Sequence, residues 1–293
     1  MEEFTQYIPK LTFSKYKGYG GKVAVVGGCF EYTGAPFFAA HSILRAGGDL
    51  SHIFCMKSAA TAIKSYAPET IVHPALPEPD DFDFIPKALE NVTKWYSAVD
   101  SFVIGPGLGR NEATMKFTTE LISFLKTSQP TKPVILDGDA LFLVSTNPGI
   151  VSGCKHFILT PNGGEYIRLC NGVNIPKDSP VLTLSEKLGG VNIFAKGLID
   201  RFTDGVRVEE FKFQGSPRRV GGQGDLTAGI WGLFASYSPN NLFAAAGAVS
   251  EIVKKAALYA FNKHKRSTIT TDILNEIENV LPESWAKADL DSN

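Results

Sequence analysis

The run GGQGD, Gly221 to Asp225, opens an apolar stretch that begins LTAGIWGLF and sets one carboxylate behind glycines at the start of a helix. Glycine backbone N–H groups can approach a ligand with no side chain in the way, and a helix N-terminus adds partial positive charge. The chemistry this suits is phosphoryl transfer. Asp225 could accept a proton from an attacking hydroxyl while the amides of Gly222, Gln223 and Gly224 hold the charge spreading over the moving phosphate oxygens. A plain N-cap is the alternative, since Asp after glycine ahead of a helix is common.

Four further loops carry polar or glycine-rich residues behind apolar runs. GGCFEYTGAP, Gly27 to Pro36, places Glu31, Tyr32 and Thr33 between glycines, where a tight turn and a ligand contact are both open. GPGLGR, Gly105 to Arg110, permits close backbone approach to something flat or anionic. DGDAL, Asp137 to Leu141, ends a strand with two carboxylates, either of which could hold Mg²⁺ through water or cap the next helix. In TPNGGEYIRL, Thr160 to Leu169, Asn162 can fix a turn and Glu165 can start a helix. Lys196 and Gly197 follow the strand VNIFA, with Asp200 four residues after the lysine; Lys196 is either a solvated strand end or a phosphate partner.

Several chemistries are excluded or disfavoured. The chain has no GxxxxGK[ST], no GxGxxG, no HExxH and no GxSxG, and its five histidines have no metal-ligand spacing. With 29 basic and 30 acidic residues among 293, a net charge of -1 gives no reason to expect nucleic acid or an acidic membrane surface as partner. Cys29, Cys55, Cys154 and Cys170 form no CxxC pair and sit in or beside apolar runs, which favours reduced, buried thiols. MEEFTQYIPK resembles neither a signal nor a transit peptide, and no apolar run is long enough to span a bilayer, so a cytoplasmic protein is expected, an organellar isoform remaining open.

The elements that must position these loops follow from patterning. KVAVVGG, DLSHIFC, SFVIGPGLG, PVILDGDAL, HFILTPNGGE and VNIFAKG are continuously apolar runs that stop at glycine or polar residues, as expected of strands buried on both faces of a parallel sheet. Between them lie helical stretches, Ala35 to Ala46 and Glu112 to Leu125, with a long Ala-rich helix over Leu242 to Phe261. LIDRFTDGVRVEEF reads as a hairpin around a TDG turn, at the sheet edge next to a nucleotide. Leu76 to Pro86 reads as a surface excursion and the tail after Pro282 as frayed. Strand, helix and strand again make βαβ units, whose ligands sit at the carboxyl ends of the strands. One domain over 1–293 is expected, with its core at about 10–282.

In order and spacing, EYTGAP, GPGLGR, DGDAL, LTPNGGE and GGQGDLTAG resemble the ADP/ATP-dependent NAD(P)H-hydrate dehydratases. The resemblance implies an α/β, ribokinase-like three-layer α/β/α sandwich with a central, mostly parallel sheet. It implies NADHX or NADPHX as substrate, hydrated at C6 of the nicotinamide ring, and ATP as co-substrate with Mg²⁺. Phosphorylating the C6 hydroxyl turns a poor leaving group into phosphate, which the ring nitrogen can expel, giving NADH or NADPH, ADP and phosphate. Carried over, the hydrated-cofactor site falls on Gly109, on Asn162, Gly163, Gly164, Glu165, Tyr166, Ile167 and Arg168, and on Asp225. The ATP site falls on Lys196, Gly197, Leu198, Ile199 and Asp200, and on Gly215, Ser216, Pro217, Arg218, Arg219, Val220, Gly221, Gly222, Gln223 and Gly224. Asp225 is then the base, and Gly222 to Gly224 the anion hole. The family also implies a homo-oligomer and a functional partnership with an NAD(P)HX epimerase. A kinase of the same fold acting on a vitamin-precursor alcohol is the alternative, and a nucleotide-binding regulator without activity is a third reading.

Overall fold

Side chains that are apolar on both sides of a strand leave no face for water, so the strands of this chain are covered twice. In the computed structural model, which describes residues 1–283 and 285, all nine strands share one sheet in the order β3-β2-β1-β4-β5-β6-β7-β8-β9. They are β1 (Lys22–Val26), β2 (Leu50–Met56), β3 (Ile71–Leu76), β4 (Ser101–Ile104), β5 (Val134–Leu136), β6 (Phe157–Leu159), β7 (Asn192–Ala195), β8 (Asp200–Thr203) and β9 (Val208–Phe211). From β3 through β7 every pairing is parallel. β7, β8 and β9 pair antiparallel, so the late hairpin forms the sheet edge as its sequence predicts.

The helices are α1 (Gly34–Arg45), α2 (Lys57–Tyr66), α3 (Ile85–Thr93), α4 (Glu112–Thr127), α5 (Gly138–Thr146), α6 (Gly163–Gly172), α7 (Val181–Lys187), α8 (Gln223–Tyr237), α9 (Leu242–His264), α10 (Thr270–Asn275) and α11 (Ile277–Val280). One apolar cluster joins α1, α8 and α9 to one sheet face through residues such as Ile43, Trp231 and Val249, while the other joins α3 to α7 through Phe117, Leu141 and Leu184. Sheet between two helical layers is the expected sandwich. Helix α8 is buried almost all round, with Leu226 to Ala235 all inaccessible, which explains its lack of a polar face.

Some expectations need correction. The core was expected from about residue 10, but Phe4 is buried and packs on Phe234, with ring centroids 4.5 Å apart. Leu76 is the last residue of β3, and Pro86 lies in the first turn of α3, so the excursion is confined to the residues between these elements. The tail after Pro282 lies outside the described residues except for Glu283 and Trp285, and Trp285 stacks edge-on to Phe234 and donates Nε1–H to Thr5 Oγ1 at 3.0 Å. All four cysteines are free and buried, as predicted. None of the described helices is long and apolar enough to cross a membrane.

The chain runs from β1 outward to β2 and β3, then returns to the other side of β1 with β4. The β1–β4 crevice is therefore the topological switch point, where loops splay apart at the strands' carboxyl ends. Those loops are Gly27 to Thr33 and Gly105 to Asn111.

Candidate active site

Sheet order places the ends of β5, β6 and β7 side by side, so residues far apart in sequence converge. Asp137, after β5, accepts hydrogen bonds at Oδ1 from Lys196 Nζ at 2.6 Å and from Thr160 Oγ1 at 2.7 Å. Both ion-pair partners are shielded from solvent. Lys196 is thus not a solvated strand end: its ammonium lies beneath the first turn of α8. A Cβ on Gly224 would stand 3.1 Å from Lys196 Nζ, so the glycine makes room for the lysine. Asp137 does not cap α5 with its side chain.

Helix α8 begins after Gly222, which holds φ +97°, a left-handed conformation that glycine adopts without strain. Its first intrahelical bond runs from Leu226 N–H to Gly222 O at 3.2 Å, so the amides of Gln223, Gly224 and Asp225 remain free of the helix ladder. Asp225 sits in this first turn. Burial pushes its carboxyl well above the usual range; Asp137 adds to the rise, Lys196 pulls it back, and Glu165 and Asp139 push again. Burial also pulls Lys196 down, but Asp137, Glu165 and Asp225 outweigh that and hold it charged. A carboxyl group buried among other carboxylates has the environment that raises proton affinity, the shift found at many functional sites.

Asn162 and Glu165 form a reciprocal cap at the head of α6. The Asn162 side chain accepts from the Gly164 and Glu165 amides at 3.0 Å, and Glu165 Oε2 accepts from Asn162 N–H at 2.8 Å. Glu165 is 9% exposed, and its carboxyl is raised by burial and by Asp137. Asp139 is held by Gly109 N–H at 2.9 Å and Arg110 Nε at 2.7 Å, which pins the GPGLGR loop to the start of α5. Both DGDAL carboxylates therefore have protein partners, and among the described residues no group of three His, Cys, Asp or Glu could hold a metal ion.

Two cavities flank this centre. One, of about 470 Å³, is lined by Phe194, Val249 and Val253 and by the charged Lys196, Arg219 and Lys254, with Gln223 and Gly224 at its end. The other, of about 730 Å³, opens at the switch point and is lined by Phe30, Glu31, Tyr32, Gly109, Arg110 and Glu165. The predicted ATP residues Lys196, Gly197, Asp200, Arg219, Val220, Gln223 and Gly224 line the first cavity, and so do Asn162 and Gly163, which were predicted for the hydrated-cofactor site. Gly109 and Glu165 line the second.

Others fall outside both. Leu198 is 82% exposed and Ile167 41%, while Arg168 is on the outer surface of α6. Tyr166 turns away to donate its hydroxyl to Ser179 O at 2.7 Å. Arg218 donates Nε–H to Thr268 O at 2.9 Å and lines a separate recess with Pro217, Phe261, Lys265 and Arg266, which Arg219 borders too. Ser216 is buried and accepts from the Arg218 amide, and Gly221 O accepts from Thr270 Oγ1.

Ser250 and Lys254 were missed from the sequence. Ser250 donates to Asp200 Oδ2 at 2.7 Å, and Lys254 donates to Gly197 O at 3.0 Å and Leu198 O at 2.6 Å, fixing the KGLID loop against α9. Their signal was their spacing: two polar residues four apart, hence one above the other, in an Ala-rich helix.

A mostly parallel sheet of this order between two helical layers, with Asp225 in the first turn of α8, is the ribokinase-like fold. A ribokinase-like superfamily protein from Enterococcus faecalis superposes with a TM-score of 0.78 at 20% identity, over 99% of this chain and 95% of that one. The Bacillus subtilis ADP/ATP-dependent NAD(P)H-hydrate dehydratase co-crystallised with ATP and Mg²⁺ gives 0.69 at 19% identity, over 98% and 97%. In sequence, the NAD(P)H-hydrate dehydratase family model matches residues 23–279. The ATP-dependent (S)-NAD(P)H-hydrate dehydratases of Ciona intestinalis and Homo sapiens are 43% and 42% identical, over 96% and 92% of this chain and 79% and 80% of theirs. The chain belongs to the NAD(P)H-hydrate dehydratase family.

Proposed function

We propose that this protein uses ATP to dehydrate (6S)-NADHX and (6S)-NADPHX to NADH and NADPH, releasing ADP and phosphate. The observation that carries the reading is the position of Asp225: in the first turn of α8, directly after Gln223 and Gly224, which line the smaller cavity, and within electrostatic reach of Lys196, which also lines the smaller cavity, and of Glu165, which lines the larger. The smaller cavity offers an apolar floor to a base and cations to a triphosphate. The larger suits an extended dinucleotide, with Phe30 and Tyr32 exposed for stacking and Arg110 at its edge.

In this reading the C6 hydroxyl gives its proton to Asp225 as its oxygen bonds to the γ-phosphorus, and the bond to the β-phosphate oxygen breaks. The amides of Gln223 and Gly224 and the ammonium of Lys196 meet the charge on the equatorial oxygens. No metal cage is built into the described residues, so Mg²⁺ is read as arriving on the triphosphate, held by phosphate oxygens and water, where it neutralises charge. The four free, buried cysteines support a reducing compartment, for which the cytoplasm is our assignment. We place the protein in a homo-oligomer working alongside an NAD(P)HX epimerase.

The test is direct. Purified protein mixed with NADHX, ATP and Mg²⁺ should restore the reduced-nicotinamide absorbance with one ADP and one phosphate per turnover. A stable phosphorylated alcohol from a vitamin precursor, with no turnover of either hydrate, would select the kinase alternative.

A further inference from the structure

Dehydration removes two groups from the nicotinamide ring, and Asp225 deals with only one. When phosphate leaves C6, pushed by the N1 lone pair, the ring becomes a C6=N1 iminium. The 1,4-dihydropyridine appears only when a proton leaves C5 and the C5–H electron pair becomes the C5=C6 double bond, returning the iminium electrons to nitrogen. Asp225 already carries the hydroxyl proton at that moment, so the ring needs a second base.

Four other carboxylates stand near this centre. Asp137 is bound by Lys196 and Thr160 and lies 3% exposed behind them. Asp139 has both oxygens engaged, one by the Gly109 amide and one by Arg110. Glu31 is on the exposed outer rim, where it accepts from the Cys29 thiol. Glu165 differs from all three. Like Glu31 and Asp139 it lines the larger cavity, but it is only 9% exposed, unlike Glu31, and only its Oε2 is engaged, by the Asn162 amide at 2.8 Å, unlike Asp139. Among the described residues nothing donates a hydrogen bond to Oε1.

We propose that Glu165 removes the C5 proton, so that two carboxylates, at the N-termini of α8 and α6, act on adjacent carbons of one ring. Burial and Asp137 raise its proton affinity above the ordinary carboxylate range, which makes it the stronger base. The balance closes: the hydroxyl proton goes to Asp225, the C5 proton to Glu165, the C6–O bond leaves with phosphate, and ADP takes the other electron pair. Both carboxyl groups then return their protons to water.

This inference rests on the dehydratase reading, and Glu165→Gln separates the two. Glutamine can still accept from the Asn162 amide, so the cap and fold are kept, as circular dichroism and thermal melting should verify. In a single turnover with NADHX and ATP, ADP is measured by quench and NADH by absorbance, with C5-protiated and C5-deuterated substrate. The variant should lose far less in ADP release, where Glu165 acts only through its charge on Asp225 and Lys196, while NADH forms roughly 10²- to 10⁴-fold more slowly. A phosphorylated hydrate should accumulate, and C5 deuteration should slow NADH formation further. If NADH keeps pace with ADP in the variant, the departing phosphate or water takes the proton and the inference fails. Loss of ADP formation in the variant would equally overturn it, by placing Glu165 in phosphoryl transfer or binding. A wild type that makes no ADP from NADHX would remove the dehydratase reading and this inference together.

Discussion

Replacing Asp225 with Asn should make the protein more stable and almost inactive. The asparagine keeps the shape of the side chain but cannot accept the hydroxyl proton, which removes a contribution of roughly 10² to 10⁴ in rate, or roughly 3 to 5 kcal/mol of barrier. The effect on folding has the opposite sign. Burial holds the Asp225 carboxyl well above its ordinary value, with Asp137 adding to the rise, so the folded chain binds this proton more tightly than the unfolded chain. Such a group favours folding fully below its unfolded pKa, and that contribution is lost as pH rises through the folded pKa. Once pH has risen through the folded pKa, the wild type carries a negative charge there against Asp137, Glu165 and Asp139, eased by Lys196. Lys196 still holds Asp137 at 2.6 Å once that charge is gone. Relief of this kind is typically worth about 0.5–2 kcal/mol, or ~1–4 °C in Tm for a chain of this size. Calorimetry at pH 5 and pH 8, beside a kcat measurement, checks both halves. The gain should be larger at pH 8; a variant less stable than wild type there, or one keeping more than about a tenth of kcat, would refute the reasoning.

Lys196→Met leaves Asp137 buried without its cation and should lower stability by about 3–5 kcal/mol, whereas Asp137→Asn with Lys196→Met should recover most of it without recovering activity; urea unfolding of the three proteins decides. Gly163 opens α6 with nothing within 4 Å of an added Cβ, so Gly163→Ala should stabilise by about 0.5–1 kcal/mol, read as a small rise in Tm. Burial, aided by His52, lowers His73 to about 4 from 6.5, so the unfolded chain takes up that proton first and stability should fall as pH drops from 6.5 towards 4. A melting series across that range checks this, and His73→Phe should flatten it.

How much of this was legible depended on whether a residue's neighbours were local. Six strands announced themselves as runs of Val, Ile, Leu and Phe because both their faces are covered. β3 did not: IVHPAL is an edge strand, mostly solvated at its start and interrupted by Pro74, so it lacks the apolar run. Asn162 and Glu165 were readable as turn and helix start because a capping box spans only four residues. The Asp137–Lys196 pair was not, because its partners are 59 residues apart and meet only when β5, β6 and β7 lie in that order. Neither residue carries a sign in its own neighbourhood that it will be buried against the other.

That pair also bears on how a kinase-like site comes to serve a dehydration. Up to transfer of the phosphoryl group, the mechanism we propose needs the same parts as a kinase: free amides at the head of α8, Lys196 beneath them and Asp225 to take a proton. Phosphorylation of an ordinary alcohol ends there, since nothing pushes phosphate out of a saturated carbon. On a carbon next to the ring nitrogen, phosphate leaves under the push of that nitrogen, and the chain need only receive the proton from the neighbouring carbon. Asp137 ties this last requirement to the first, because the one carboxylate that anchors Lys196 also raises the proton affinity of Asp225 and of Glu165. Removing its charge alone, as in Asp137→Asn, should therefore loosen Lys196 and weaken both bases at once, slowing ADP release and NADH formation together, where Glu165→Gln slows chiefly the second.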